Sequence, residues 1–454
     1  MKRSPDKVTL IGSGLNGPLL AILLRQRGFA VEIYERRPDM RQARISAGRS
    51  INLALSTRGI YALRQAGIWE AMLPIIIPMK GRMMHSITGD LTFQPYGQNE
   101  SEVINSISRA ELSIALMNAA QEQGAIIHFN QRCTGYDFKT GDLQLRNELT
   151  DAETTIETSV VIACDGSASA IRTEMLKLTR FNFSQQYLDY GYKELTIPSG
   201  AKGEHLLETH ALHIWPRGNH MLIALPNIDG TFASILFLPF EGTDSFAGLT
   251  TLTEVVNFFE ARFPDAKSLM PNLADNYFAN PTGSMVTVKC SPWHVEGRAA
   301  LLGDAAHAIV PFFGQGLNCG FEDCTCLMEL LDRHGPDWTR VFGEFENARK
   351  VNTDAIADMA IENFTEMRDR VADPSFLFRK KVELALEAKY PQLFVPKYAM
   401  VTFHRIPYSV ALARGTVQDR LLAELCEHID RVEDLDWDQA DKLIRRELTP
   451  LEIR

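Results

Sequence analysis

The chain has 454 residues, 45% hydrophobic and 23% charged, which is globular composition long enough for two or three cooperating domains. A net charge of −10 with no basic run excludes nucleic acid as a main partner, although one buried arginine could still hold an anionic small molecule. Seven scattered cysteines, an odd number without a Cys-x-x-Cys, argue against a disulfide framework or a zinc site and point to a reducing cytosol.

In chain order, the short polar start Met1–Lys7 leads into an apolar run, Val8–Ile11, that reads as a strand rather than a signal-peptide core. A turn, Gly12-Ser13-Gly14-Leu15-Asn16-Gly17, precedes an apolar helix, Leu19–Gln26, which Gly28 ends. Ala30–Tyr34 is a second strand, so the chain opens as a βαβ unit. Residues 56–73 and 109–123 read as helices. From about 180 to 290 the pattern changes to short alternating or β-branched runs: Tyr187–Ile197, His210–Trp215, Met221–Leu225, Thr231–Leu238 and Ser284–Cys290. These predict an antiparallel sheet, with a helix over Glu254–Phe263. A strand returns at Ala299–Leu302, a helix follows over about 317–333, and residues 338–454 are mainly helical, punctuated by Pro374, Pro391, Pro396 and Pro407.

No window reaches the roughly 18 uninterrupted apolar residues of a membrane span. The most apolar stretch, Met221 to Phe240, is broken by Pro226, Asn227, Asp229 and Gly230. The tail from Glu427 to Arg454 is strongly polar, so a soluble, cytoplasmic protein without a membrane anchor is expected.

Three turns carry the chemistry. In Gly12-x-Gly14-x-x-Gly17, the first glycine permits the tight turn, the second lets backbone approach a pyrophosphate, and the third lets helix pack on strand. The helix N-terminus offers NH groups and partial positive charge to phosphates. Glu35, 18 residues after Gly17 at the end of the second strand, is placed to bind a ribose diol. Val160 to Ala163 is an apolar strand leading through Cys164 to Asp165-Gly166, and Ala300 to Leu302 ends in Gly303-Asp304. Gly314-Gln315-Gly316-Leu317-Asn318 is a glycine-rich approach to a helix.

The order Gly fingerprint, Asp-Gly, Gly-Asp resembles the single-component flavoprotein aromatic hydroxylases. The resemblance implies α/β plus α+β architecture. A discontinuous Rossmann-like FAD-binding domain (1–180 and 285–335) would hold an inserted antiparallel-sheet substrate domain (181–284), followed by a C-terminal helical region (336–454). Part of 76–105 would contribute to the substrate site. A single Gly fingerprint fits a group in which NAD(P)H has no Rossmann domain of its own. More narrowly, Gly48 to Ser56, Gln94-Pro95-Tyr96-Gly97, His213 to Arg217, Ile223 to Asn227 and Met400 to Phe403 resemble the kynurenine 3-monooxygenase family, over nearly the whole chain to about residue 415.

That resemblance implies non-covalent FAD, NADPH as co-substrate, O2, and hydroxylation of L-kynurenine to 3-hydroxykynurenine through a flavin C4a-hydroperoxide. The flavin itself performs the oxygen transfer, so no catalytic side chain is nominated. Carried over residue by residue, Arg82 and Tyr96 would hold the kynurenine carboxylate, with Asn363 and Tyr398 completing the substrate contacts. A guanidinium and a phenol suit a carboxylate. On the FAD side the resemblance points to Gly12, Gly14, Asn16, Gly17, Glu35, Arg36, Arg37, Ala54, Arg109, Cys133, Asp165, Ala170, Asp304, Gly316, Leu317 and Asn318. Phe312 and Phe313 fit packing against a substrate ring or plain core packing equally well. A homodimer is compatible with the sequence and not required by it.

The alternatives are a hydroxylase of another aromatic acid and a non-catalytic flavin-binding redox sensor. His307 has no second ligand pattern, so no metal is expected. Ser13 and Ser167 lack a Gly-x-Ser-x-Gly elbow, which disfavours a hydrolase.

Overall fold

The computed structural model describes residues 6–42, 52–97, 99–369 and 374–452. Met1 to Pro5 and Gly48 to Ile51, both used above, lie outside the described residues. The chain divides into two compact units. The first comprises residues 1–76, 107–188 and 284–357, and the second residues 77–106, 189–283 and 358–454.

The first unit is built on a six-stranded sheet. Its order is His294–Val295, Ala299–Leu301, Val160–Ala163, Lys7–Ile11, Ala30–Tyr34, Ile126–His128. All neighbours run parallel except the edge pair His294–Val295 with Ala299–Leu301. Leu10 lies between Ile162 and Ile33, so on that face the central strands are apolar, as a sheet covered by helices requires. The helix Asn16–Gln26 buries Leu19 to Leu24 in this core. The expected helix over 56–73 is two, Thr57–Gln65 and Trp69–Met72, because Gly67 takes a left-handed φ of 74° between them.

In the second unit six neighbouring strands of a seven-stranded sheet run Asn182–Ile197, Phe232–Pro239, Met221–Pro226, Ala211–Pro216, Gly81–His85, Leu91–Pro95. The pairs are antiparallel apart from Ala211–Pro216 with Gly81–His85. The helix Leu252–Arg262, fixed by a Thr251–Glu254 capping box, belongs to the same core as Leu195, Trp215, Phe232 and Phe259. A separate helical cluster packs Val382, Leu386, Phe394, Leu421, Leu443 and Ile444. Among the described residues, no helix is long and apolar enough to cross a membrane.

A buried hydrogen-bonded chain fixes the strand Gly81–His85. His213 Nε2 lies 2.9 Å from the Glu208 carbonyl, His213 Nδ1 2.8 Å from His85 Nε2, and His85 Nδ1 2.8 Å from Asp265 Oδ2. Trp215 Nε1 donates to the same carboxylate oxygen at 2.7 Å. A carbonyl can only accept, so His213 carries its proton on Nε2 and accepts on Nδ1. Burial pushes the His213 imidazole down to about 4, and does the same to His220. An unfolded histidine near 6.5 binds protons that these folded ones refuse, so the two residues stabilise the fold fully above 6.5 and lose that contribution as pH falls toward 4. The expected result is a melting temperature that drops between pH 6.5 and 4.5. His213→Gln should reduce that drop, each of the two histidines accounting for at most about 3 kcal/mol. Thermal unfolding of both proteins across this range checks it.

Candidate flavin and substrate sites

The first unit brings the three sequence turns together. A Cβ on Gly12 (φ 97°) would lie 2.6 Å from the Cys164 carbonyl oxygen and 2.9 Å from the Asp165 Cα, so the fingerprint turn rests on the Asp-Gly turn. A Cβ on Gly17 would overlap the Gly12 carbonyl oxygen, whereas one on Gly14 would meet nothing within 4 Å. Gly12 and Gly17 are therefore demanded by packing, and Gly14 leaves its side of the turn open. The Asn16 amide is wedged between the Gly-Asp turn and the glycine-rich helix. A Cβ on Gly303 would clash with Asn16 Nδ2, and one on Gly320 would sit 2.5 Å from it.

Arg172, which sequence reading did not single out, closes the set. Its Nη1 donates to the Ala305 carbonyl at 2.7 Å, and its Nη2 to the Ser167 carbonyl. It thus ties the Asp-Gly turn to the Gly-Asp turn. Nothing in the local sequence marks it, because its partners lie on another strand-to-helix connection.

Glu35 accepts from Ser13 N at 2.7 Å and from Arg37 N and Nε at 2.9 and 2.8 Å. Burial would raise its carboxyl, but the Arg37 guanidinium and these donors outweigh that and hold it below the usual value. Arg36 and Arg37 are exposed at the strand end. Asp165 accepts from Ala170 N at 2.7 Å through one oxygen, while its other oxygen, Oδ1, is buried without a hydrogen-bond partner. Burial pushes the Asp165 carboxyl up. It also pushes the neighbouring Cys133 thiol up to about 12, with the Asp165 charge adding to it.

Asp304 opens a short helix, Asp304–His307, with solvent access and protein atoms around it. That enclosure raises its carboxyl, and the Arg109 charge opposes the rise. Gly316 begins the helix Gly316–His334. Asn318 holds its approach: Nδ2 donates to the Ala54 and Gly314 carbonyls at 2.8 and 2.9 Å, and Oδ1 accepts from Ser56 N at 2.9 Å. Leu317, Phe312 and Phe313 are buried.

These observations test whether a dinucleotide fits. An unpaired buried carboxylate oxygen on Asp165, an accessible Asp304 carboxylate and an open face at Gly14 are donor-seeking and phosphate-accommodating features of one cradle.

The second unit holds an arginine in an aromatic setting. Arg82 leaves the strand Gly81–His85 with its guanidinium 4.9 Å from the Tyr398 ring centroid and 5.7 Å from that of Tyr96. The two tyrosine rings stack 5.8 Å apart, and Phe403 stands 6.4 and 6.1 Å from them. Arg82 Nε and Tyr96 Oη are buried and make no hydrogen bond. Burial opposes the Arg82 charge, but Tyr398, Tyr96 and Glu366 outweigh it, so the guanidinium stays charged. Burial, reinforced by Tyr398, drives the Tyr96 phenol far above its ordinary value, so it remains a neutral donor. Asn363 is buried in the same unit, where its neighbour Phe364 packs edge-on against Tyr190 at 4.9 Å.

His307, read from sequence as lacking co-ligands, has two in space: its ring nitrogen, the Cys319 sulfur and an Asp323 oxygen lie within 4.8 Å of one another. Asp323 is, however, already bonded to His307 and to Arg349, each at 2.6 Å.

The chain matches the model of the FAD binding domain family over residues 6–256 and 265–334. It is 52% identical over 446 residues to the kynurenine 3-monooxygenase of Myxococcus xanthus, covering 98% of this chain and 96% of the relative. The chain belongs to the kynurenine 3-monooxygenase family. The Xanthomonas campestris member is 45% identical over 449 residues, 99% of this chain and 98% of that protein. Among solved structures, 2-methyl-3-hydroxypyridine-5-carboxylic acid oxygenase shares the fold with a TM-score of 0.67 at 20% identity, covering 83% of this chain and 96% of its own. A tetracycline destructase does so with a TM-score of 0.60 at 18% identity, over 88% and 99%.

Proposed function

We propose that this chain is an FAD-dependent monooxygenase that converts L-kynurenine, NADPH, a proton and O2 into 3-hydroxykynurenine, NADP+ and water. The reading follows the names of its relatives at 45 to 52% identity. The single geometric observation that carries it is the buried, unsatisfied pair Arg82 Nε and Tyr96 Oη. Buried polar atoms without partners are uncommon and call for a ligand, here one bearing a carboxylate. A redox sensor would have no use for such a pair, and the relatives' names do not favour another aromatic acid.

FAD would be held by the Gly12–Gly17 turn, Glu35, Asp165, Asp304 and the Gly316–Asn318 helix start, with Arg109, Cys133 and Ala170 beside them. Bound there, it would supply acceptance of hydride from NADPH and activation of O2. The chain's own part is binding and placement. Arg82 would grip the kynurenine carboxylate, Tyr96 would donate to it, and Tyr398 would back the guanidinium. Anchoring the amino-acid end limits which ring carbon can react. The aniline nitrogen of the substrate activates its own ring, so no protein base is assigned. The seven free cysteines suit a cytoplasmic setting.

Tyr96→Phe is expected to weaken kynurenine binding about tenfold, the worth of one hydrogen bond to a charged group, with bound FAD unchanged. Titration of the holoenzyme with kynurenine checks it. The proposed activity is tested by kynurenine-dependent NADPH oxidation with the product identified by mass spectrometry. NADPH oxidation unaffected by kynurenine, or a product other than the 3-hydroxy compound, would overturn the assignment.

A further inference from the structure

We infer that Asp323 is a positioning residue that staples the Gly303-Asp304 turn to the helix Gly316–His334, and so fixes the Asp304 carboxylate where it must meet the cofactor. The inference rests on the reading of that turn as part of the flavin site.

One carboxylate oxygen does the stapling. Asp323 Oδ2 accepts from Gly303 N at 3.1 Å and from His307 Nε2 at 2.6 Å. Gly303 and His307 bracket the helix Asp304–His307, and Ala306 N and His307 N both donate back to the Gly303 carbonyl, at 2.8 and 2.9 Å. Asp323 therefore holds the turn at its two ends while Asp304, between them, is left accessible. Gly303 adopts φ 63° and ψ −140°, a conformation L side chains rarely take and glycine takes without strain.

The other oxygen, Oδ1, is fixed by Arg349 Nε at 2.6 Å. Arg349 also donates to Glu322 at 2.5 Å and to the Cys319 carbonyl at 3.2 Å, and Glu322 pairs with Arg58. The five charged side chains Arg58, His307, Glu322, Asp323 and Arg349 are all buried. With His307 protonated, three cations face two anions. Burial disfavours the His307 charge, but Asp323 and Cys319 outweigh it and keep the imidazole protonated well above its usual range. The other groups around His307 are the Trp293 ring, with centroids 5.1 Å apart, and the Asp304 carboxylate of its own turn. In the wild type the staple is thus insensitive to pH near neutrality.

Asp323→Asn removes the anion that holds the proton on His307 and leaves one acceptor oxygen for the three donors Gly303 N, His307 Nε2 and Arg349 Nε. The FAD dissociation constant, measured on purified holoenzyme by partition of free flavin at pH 6 to 9, is expected to rise tenfold or more. It is also expected to become pH-dependent, because without the Asp323 charge burial drives the proton off His307 more easily, whereas the wild-type value stays flat. Wild-type affinity with a flat profile in Asp323→Asn would overturn the inference. If Asp323→Asn does not fold, His307→Gln decides. It leaves Asp323 paired with Arg349 and Gly303 N, and should weaken FAD several-fold; unchanged affinity would equally overturn the staple. Asp304→Asn separates the two levels of the argument. FAD loss in Asp304→Asn with none in Asp323→Asn sinks the staple alone, whereas full affinity in Asp304→Asn sinks the reading of the turn as a flavin site.

Discussion

Gly17→Ala is expected to yield a protein that binds no FAD and melts well below the wild type. The added Cβ would overlap the Gly12 carbonyl oxygen, a backbone atom that cannot rotate away. Relief would require the helix Asn16–Gln26 to move off the strand Lys7–Ile11, disturbing the core formed by Leu19 to Leu24. Over-packing of this kind costs about 1–3 kcal/mol or more. Gly14→Ala is the informative control. Its Cβ meets nothing within 4 Å, so stability without cofactor should be unchanged, yet the methyl would occupy the face left for a phosphate. Melting temperature and flavin content of the two variants, side by side, separate a packing role from a binding role.

Arg82→Ala is expected to raise the kynurenine dissociation constant on the order of 100-fold or more, with flavin content unchanged. Truncating one partner of a buried, hydrogen-bonded charge pair costs about 2–5 kcal/mol, because the remaining charge is left without its counterpart. The flavin cradle lies in the first compact unit and Arg82 in the second, which is why the two properties should part. Arg82→Lys should recover only part of the loss, since an ammonium keeps the charge but not the planar fork that matches a carboxylate. Titration of each holoenzyme with kynurenine, followed by the change in flavin absorbance, measures both.

Much of the fold could be read from the residues. Val8–Ile11, Ala30–Tyr34 and the runs from 187 to 240 formed strands close to their expected bounds, because a buried parallel strand is continuously apolar and an antiparallel one alternates or is β-branched. The strands Gly81–His85 and Leu91–Pro95 were not assigned from sequence. The first mixes glycine, arginine and methionines without alternation, and the second is an edge strand with little burial that ends in proline. The missed break in the helix over 56–73 lay at Gly67, whose left-handed φ is a property of one residue that an apolar period does not reveal.

The site was legible in its motifs and illegible in its supports. The glycine turn, Asp-Gly and Gly-Asp announce themselves because each ends a strand and opens a helix. Arg172 and Asp323 do not, because their bonds reach Ala305, 133 residues away, and Gly303, 20 residues away. Likewise Arg82, Tyr96 and Tyr398 have no pattern in common, and it took the sheet and the helix Lys397–Thr402 to set their side chains against one another. Phe403, which closes the family-like segment from Met400, joined them although it was not named as a site residue.

The most direct test is an experimental structure of the holoenzyme with kynurenine bound. The account predicts a kynurenine carboxylate within about 3 Å of both Arg82 Nε and Tyr96 Oη, and the FAD pyrophosphate against the open face at Gly14. A kynurenine carboxylate paired elsewhere while those two atoms stay unbonded, or a flavin lying away from the Asp165 and Asp304 turns, would contradict it.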